Sequence, residues 1–211
     1  MAKIITVPDP RLKKRSVEIT KIDAGVEKLI RDLKATLNKQ KNPEGVGISA
    51  PQIGVNKRVF VIKTGFTKDE NLSKLKETVF VNPEIIKMSK DTNFDHLAPE
   101  DRYFEGCLSI PGLYGEVKRP WSIKVSGVIP TLPVSFPPAS GRVNFQRESR
   151  NGSPIKSGMT QNTGMTVLTG LDAIYFQHEF DHLNGILFTE RVKEQGGKLY
   201  KLGKGGNFEP L

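Results

Sequence analysis

The sequence predicts an α+β fold, and three observations carry that expectation. Apolar residues recur at helical spacing over residues 23–41, short β-branched runs stand at 59–62 and 79–81, and a second helical segment spans 170–183.

In the first segment Val26, Leu29, Ile30, Leu33 and Leu37 fall on one face, with Lys28, Arg31, Asp32 and Lys34 on the other. This is an N-terminal amphipathic helix. Asn42, Pro43, Glu44 and Gly45 end it, and Gly45, Gly47 and Gly54 mark a loop whose backbone turns or approaches something closely. The runs at 59–62 and 79–81 read as strands, separated by a polar stretch at 63–78 with room for a short helix. Further strands are expected at 115–117 and 122–125. Residues 129–166 differ: Pro130, Pro133, Pro137, Pro138 and Pro154 alternate with small polar residues, which excludes a long helix. They read as a loop-rich insertion with a short strand near 142–146. The helix at 170–183 opens on Thr169 and Asp172, a capping-box spacing, and stops at Asn184-Gly185.

At 211 residues the chain suits a single domain over 1–211, large enough to build its core unaided. One cysteine cannot form an intramolecular disulfide, so Cys107 needs another explanation. Ile4 and Ile5 fall short of a signal-peptide apolar region, and no membrane-spanning run appears. The expected setting is therefore the cytoplasm, or an organellar matrix if a targeting segment was removed. A net charge of +9 favours polyanionic partners, but no arginine-rich stripe with interleaved aromatics accompanies it, so a solvated basic surface competes with a nucleic-acid site. No apolar helix face is left over, and a monomer is expected.

The chemistry sits in His178-Glu179-Phe180-Asp181-His182. At about 100° per residue the two histidines lie one turn apart on one face, so both imidazoles reach a single metal ion. Glu179 borders that ion in the position of a general base for water. The chain holds only three histidines, so this HExxH spacing is poorly explained as chance. A catalytic tetrahedral site needs a third protein ligand, and the lone cysteine, in Glu105-Gly106-Cys107-Leu108-Ser109, is the candidate. Leu171, Ile174 and Tyr175 share the histidine face and, with Val46, make either an apolar pocket wall or a plain core stripe.

Three motifs occur in a telling order: Gly45-Val46-Gly47-Ile48-Ser49-Ala50-Pro51-Gln52, then Glu105 to Ser109, then Gln177 to His182. With Pro8 to Leu12, Asn82 to Ile85 and Asn184-Gly185, they make the chain resemble the peptide deformylases over most of its length outside the insertions. Ser49 stands where that family usually has alanine. The resemblance implies mixed or antiparallel β-sheets packed around a central C-terminal metal-binding helix. It implies an enzyme that removes the N-terminal formyl group from N-formylmethionyl nascent polypeptides and releases formate. Cys107, His178 and His182 would ligate a divalent metal, natively Fe(II), with zinc, nickel or cobalt able to replace it. Glu179 would move the proton from water to the leaving amine, while the Gln52 side-chain amide and the Leu108 N–H stabilise the oxyanion. Val46, Leu171, Ile174 and Tyr175 would take the methionine side chain, and Gly47 and Gly106 would let the substrate backbone lie close. Glu44 and Arg119 resemble an ion pair bracing the first loop. Association with the ribosome is compatible with the basic charge.

Two rival readings remain at this stage. An HExxH peptidase shares the His-Glu-His geometry but leaves the Cys107 motif unexplained. A ribosome-associated protein with a structural metal needs neither Glu179 nor Gln52.

Overall fold

In a computed structural model, residues 2–41, 44–66, 75–129, 164–203 and 206–211 are described. They form an α+β fold with two antiparallel sheets, as the sequence predicts. The first sheet has five strands in the order β1 (Gly47–Ser49), β2 (Val59–Thr64), β3 (Lys76–Met88), β6 (Ser122–Ile129) and β7 (Gly164–Thr169). The second runs β4 (Phe104–Cys107), β5 (Ile110–Glu116), β8 (Leu199–Leu202) and β9 (Phe208–Pro210).

The unbroken apolar run in β2 reflects a sheet covered on both faces. Val59 and Val61 face one way and join Leu29, Leu33 and Leu37 of α1 (Ala24–Lys39) in one core cluster. Phe60 and Ile62 face the other way, against Ala173, Tyr175 and Phe176 of α3 (Leu171–Leu183). Alternation with a period of two thus lets one strand serve two cores. At the start of α1 the Asp23 carboxylate accepts a 2.9 Å hydrogen bond from Val26 N–H. A third cluster joins Leu12, Ile110 and Val117 to Leu187, Phe188 and Val192, the last two in α4 (Phe188–Glu194). One further short helix, α2, covers Asn93–His96.

The structure corrects several sequence expectations. The strands at 59–62 and 79–81 extend to Val59–Thr64 and Lys76–Met88, and those at 115–117 and 122–125 belong to Ile110–Glu116 and Ser122–Ile129. The segment taken as an insertion at 129–166 has strand at both margins, since β6 reaches Ile129 and β7 starts at Gly164. Pro130 and the expected strand at 142–146 lie outside the described residues, as do Asn42, Pro43 and residues 67–74 of the polar stretch.

Thr169 and Asp172 do not make a capping box. Gly170 is the N-cap, at φ 60, with no side-chain cap bond. The Asp172 carboxylate instead accepts from the backbone N–H groups of Gly65 at 3.0 Å and Phe66 at 3.3 Å, tying the entrance of α3 to the end of β2. The stop at the other end has a plain cause: Gly185 sits at φ 71, and a Cβ there would lie 2.4 Å from the Lys13 carbonyl oxygen. Among the described residues no helix is long and apolar enough to cross a membrane.

Candidate active site

α3 packs on the first sheet, against β1, β2 and β7, and one of its faces reaches β4 of the second sheet through His178 and His182. His178 and His182 stand on that face, and β4 ends at Cys107. The ligating atoms of Cys107, His178 and His182 lie within 4.8 Å of one another. Cys107 Sγ is 3.2 Å from His182 Nε2, and the backbone N–H of Ser109 points at the same sulfur from 3.4 Å. His182 is 1% exposed. Burial alone raises a thiol's pKa, yet the charges and hydrogen bonds of His182 and His178 outweigh it and hold Cys107 well below the usual thiol range. A thiolate and two imidazoles converging on one point suit a divalent metal ion.

Glu179 is buried beside this group, and its Oε2 has no hydrogen-bond partner. Burial raises its pKa, against the pull of His182 and His178. Gln52, in the 3-10 turn Ala50–Ile53, is also buried. Its Oε1 accepts from the Ser49 backbone N–H at 2.8 Å and from the Ser49 hydroxyl at 3.0 Å. Its Nε2 is thereby turned toward Cys107, 3.5 Å from Sγ. Leu108 lies in the turn between β4 and β5.

The residues expected to contact substrate divide. Val46, Leu171 and Tyr175 share one apolar cluster, with the Tyr175 ring against Phe66 and Tyr103. Ile174 is fully buried but is not among that cluster's members. Gly47 packs against the Glu179 carboxylate, and Gly106 against the Tyr114 ring.

The Glu44–Arg119 pair does not form. Glu44 accepts from Lys63 at 3.0 Å, whereas Arg119 is buried between Glu105 and Asp181. Arg119 Nη2 donates to Glu105 Oε2 at 2.9 Å, its Nε donates to Glu105 Oε1, and its Nη1 donates to Asp181 Oδ2 at 3.0 Å. Glu105 Oε2 also meets His178 Nδ1 at 2.9 Å, leaving Nε2 of that ring for the metal position. Burial would raise the Glu105 pKa, but Arg119 and His178 bring it down to about 2, so Glu105 stays ionised. Asp181 in turn is gripped by Arg191 of α4, at 2.6 and 3.1 Å. Glu105 and Asp181 both stand in the sequence motifs, but the sequence alone gives neither of them a role. The available signal was an acidic residue two positions before the candidate cysteine.

The family model of polypeptide deformylases matches residues 1–129 and 142–198. The chain belongs to this family. It is 35% identical over 193 residues to a peptide deformylase of Prochlorococcus marinus (strain NATL1A), covering 92% of this chain and 74% of that protein. It is 34% identical over 190 residues to the chloroplastic peptide deformylase 1B of Oryza sativa subsp. japonica, of which it spans 54%. The solved plant peptide deformylase PDF1B superimposes with a TM-score of 0.65 at 30% identity, over 92% of this chain and 82% of that one. The break in the family match, between 129 and 142, falls inside the proline-rich segment. As a peptide deformylase the chain is a metal-dependent hydrolase that removes the N-terminal formyl group from nascent polypeptides.

Proposed function

We propose that Cys107, His178 and His182 hold one divalent metal ion and that Glu179 is the acid–base residue of deformylation. The observation that carries this reading is the convergence of three ligating atoms within 4.8 Å beside a buried carboxylate oxygen that has no hydrogen-bond partner. An unsatisfied buried carboxylate is costly, and one that meets a reacting water recovers that cost during turnover. The donor set accepts iron, zinc, nickel or cobalt; Fe(II) as the native ion rests on the family resemblance.

A bound ion supplies Lewis acidity, easing the loss of a proton from water and polarising the formyl carbonyl. Glu179 takes that proton as water attacks the formyl carbon, then delivers it to the leaving amine. Its burial-raised pKa brings it closer to the range in which it can do both. Gln52 Nε2, aimed at the site because Ser49 occupies the other end of the amide, donates to the formyl oxygen together with the Leu108 N–H. Val46, Leu171, Ile174 and Tyr175 form the wall that receives the methionine side chain. Gly47 and Gly106 keep the approach to the substrate backbone open.

We also read residues 1–211 as one catalytic domain, monomeric, working in the cytoplasm or an organellar matrix. The charge of +9 supports docking at the ribosome.

The deciding experiment is formate release from N-formyl-Met-Ala-Ser by the anaerobically purified, Fe(II)-loaded protein, with Glu179→Ala alongside. Turnover by the wild type and a loss of roughly 10²–10⁴-fold in the variant at unchanged metal content is expected. Equal turnover by the variant would remove Glu179 from the reaction.

A further inference from the structure

Among the described residues, most buried charged side chains are paired. Lys63 meets Glu44, and Arg119 holds Glu105 and Asp181 together. Glu179 has no such partner and belongs to the active site. Arg58 has none either, and nothing in deformylation uses it.

Arg58 is 8% exposed. Its Nη1 donates to the Leu183 carbonyl at 3.3 Å and to Asn184 Oδ1 at 3.0 Å, both neutral groups at the end of α3. A helix C-terminus offers only about half a negative charge, so the guanidinium lacks a full counter-charge. Burial lowers its pKa and Arg15 lowers it further, while Glu18 and Glu84 pull it back. The Nε and Nη2 atoms, the edge with which arginine grips a carboxylate through two parallel bonds, have no partner among the described residues and are not closed off from solvent.

That side chain lines a groove of about 680 Å³, within the size range of small-molecule sites. None of Cys107, His178, Glu179 or His182 lines it. Phe180 does, two residues and roughly 200° around α3 from His178, with its ring centre 5.6 Å from the Arg58 guanidinium carbon. Ile19, Val81 and Ile85 supply further apolar wall. One flank is fixed in place: Asn82, at φ 45, exchanges two 2.8 Å hydrogen bonds with the backbone of Ile19.

We propose that this groove is a second binding site, for an organic monocarboxylate with an apolar body. The carboxylate takes the Nε and Nη2 edge of Arg58, and the body lies on Phe180 and the aliphatic wall. Glu18 and Glu84, exposed at the lining, offset the exposed Arg15 and Lys21, so among the described residues of the lining Arg58 is the one cation left over, and a single negative charge is matched better than the double charge of phosphate.

The test is a titration of the zinc-loaded protein with acetate, hexanoate and inorganic phosphate, following the Arg58 Nε–H resonance by ¹H–¹⁵N NMR after through-bond assignment. Hexanoate is expected to give a saturable shift at least tenfold more tightly than acetate, since each buried methylene contributes roughly fourfold. Phosphate is expected to bind more weakly than hexanoate, and Arg58→Lys, which keeps charge but not the fork, to weaken the hexanoate response. A linear, unsaturating shift, or one no larger than that of Arg11, which is exposed and lies outside the groove, would overturn the site. Phosphate binding as tightly as hexanoate would overturn the assignment to an apolar acid, and so would inhibition of formate release with Arg58 unmoved.

Discussion

The carboxylate of Glu179 fills the space that a side chain on residue 47 would need: a Cβ built on Gly47 would lie 2.6 Å from Oε1. The backbone at Gly47 is extended strand, which alanine adopts without strain. Gly47→Ala is therefore expected to fold, but to push the carboxylate aside. Misplacement of about 1 Å at a reacting group costs on the order of 10²-fold in rate. Steady-state formate release should show that loss in kcat with the circular dichroism spectrum unchanged. Wild-type kcat in a folded variant would mean that Glu179 has room to spare and that its position is not set by this contact.

The second prediction separates Ser49 from Gln52. The Ser49 hydroxyl is one of two donors to Gln52 Oε1, and the backbone N–H remains when it is removed. Ser49→Ala should cost about 1 kcal/mol of stability, the net worth of one hydrogen bond, and change the rate only slightly. Gln52→Ala removes the proposed donor to the developing oxyanion and should lower kcat by roughly 10²–10³-fold. Similar rates for both variants would count against the oxyanion role.

How much of this could be read from the chain alone depends on whether the determining contacts are local. The stripe Val26, Leu29, Ile30, Leu33 and Leu37 is written in the spacing of α1, and all five side chains are buried. Strand β7 is not, because it is an edge strand whose Met165 and Val167 are 66% and 59% exposed, so no clean alternation marks it. At the site, the convergence of the Cys107, His178 and His182 ligating atoms follows motifs that short-range spacing brings to notice. The Glu105–Arg119–Asp181 chain joins the end of one sheet, a loop and a helix, and ion-pair partners so far apart in sequence leave no periodic trace. Thr169 and Asp172 had the spacing of a cap, but the backbone N–H groups of Gly65 and Phe66 won the carboxylate.

That chain makes a third prediction. Glu105 fixes His178 Nδ1 while itself held by Arg119, so Glu105→Gln weakens the support of one candidate ligand without touching the metal position. Loss of such a partner typically costs 10–100-fold in metal affinity. Competition with a coloured chelator should report a drop of that size. Breaking the buried pair should also destabilise the fold by about 3 kcal/mol, read from denaturant unfolding. A stability loss with metal affinity unchanged would make Glu105 a structural residue only.

Metal removal tests the whole constellation. Three ligating atoms within 4.8 Å, one of them on a sulfur held toward the thiolate form by two imidazoles, repel or strain one another less when a cation sits between them. The ion binds only the folded arrangement, so at about 1,000 times its dissociation constant it adds roughly 4 kcal/mol of stability. For a chain of this length each kcal/mol moves Tm by about 2–4 °C, so chelation should lower Tm by roughly 10 °C. Cys107→Ser should shrink that metal-dependent difference, because a hydroxyl is a poor substitute for thiolate toward these ions. Activity should vanish with the metal and return when Fe(II) is restored. A Tm indifferent to chelation, with formate release intact, would mean that these three residues do not hold the ion on which deformylation depends.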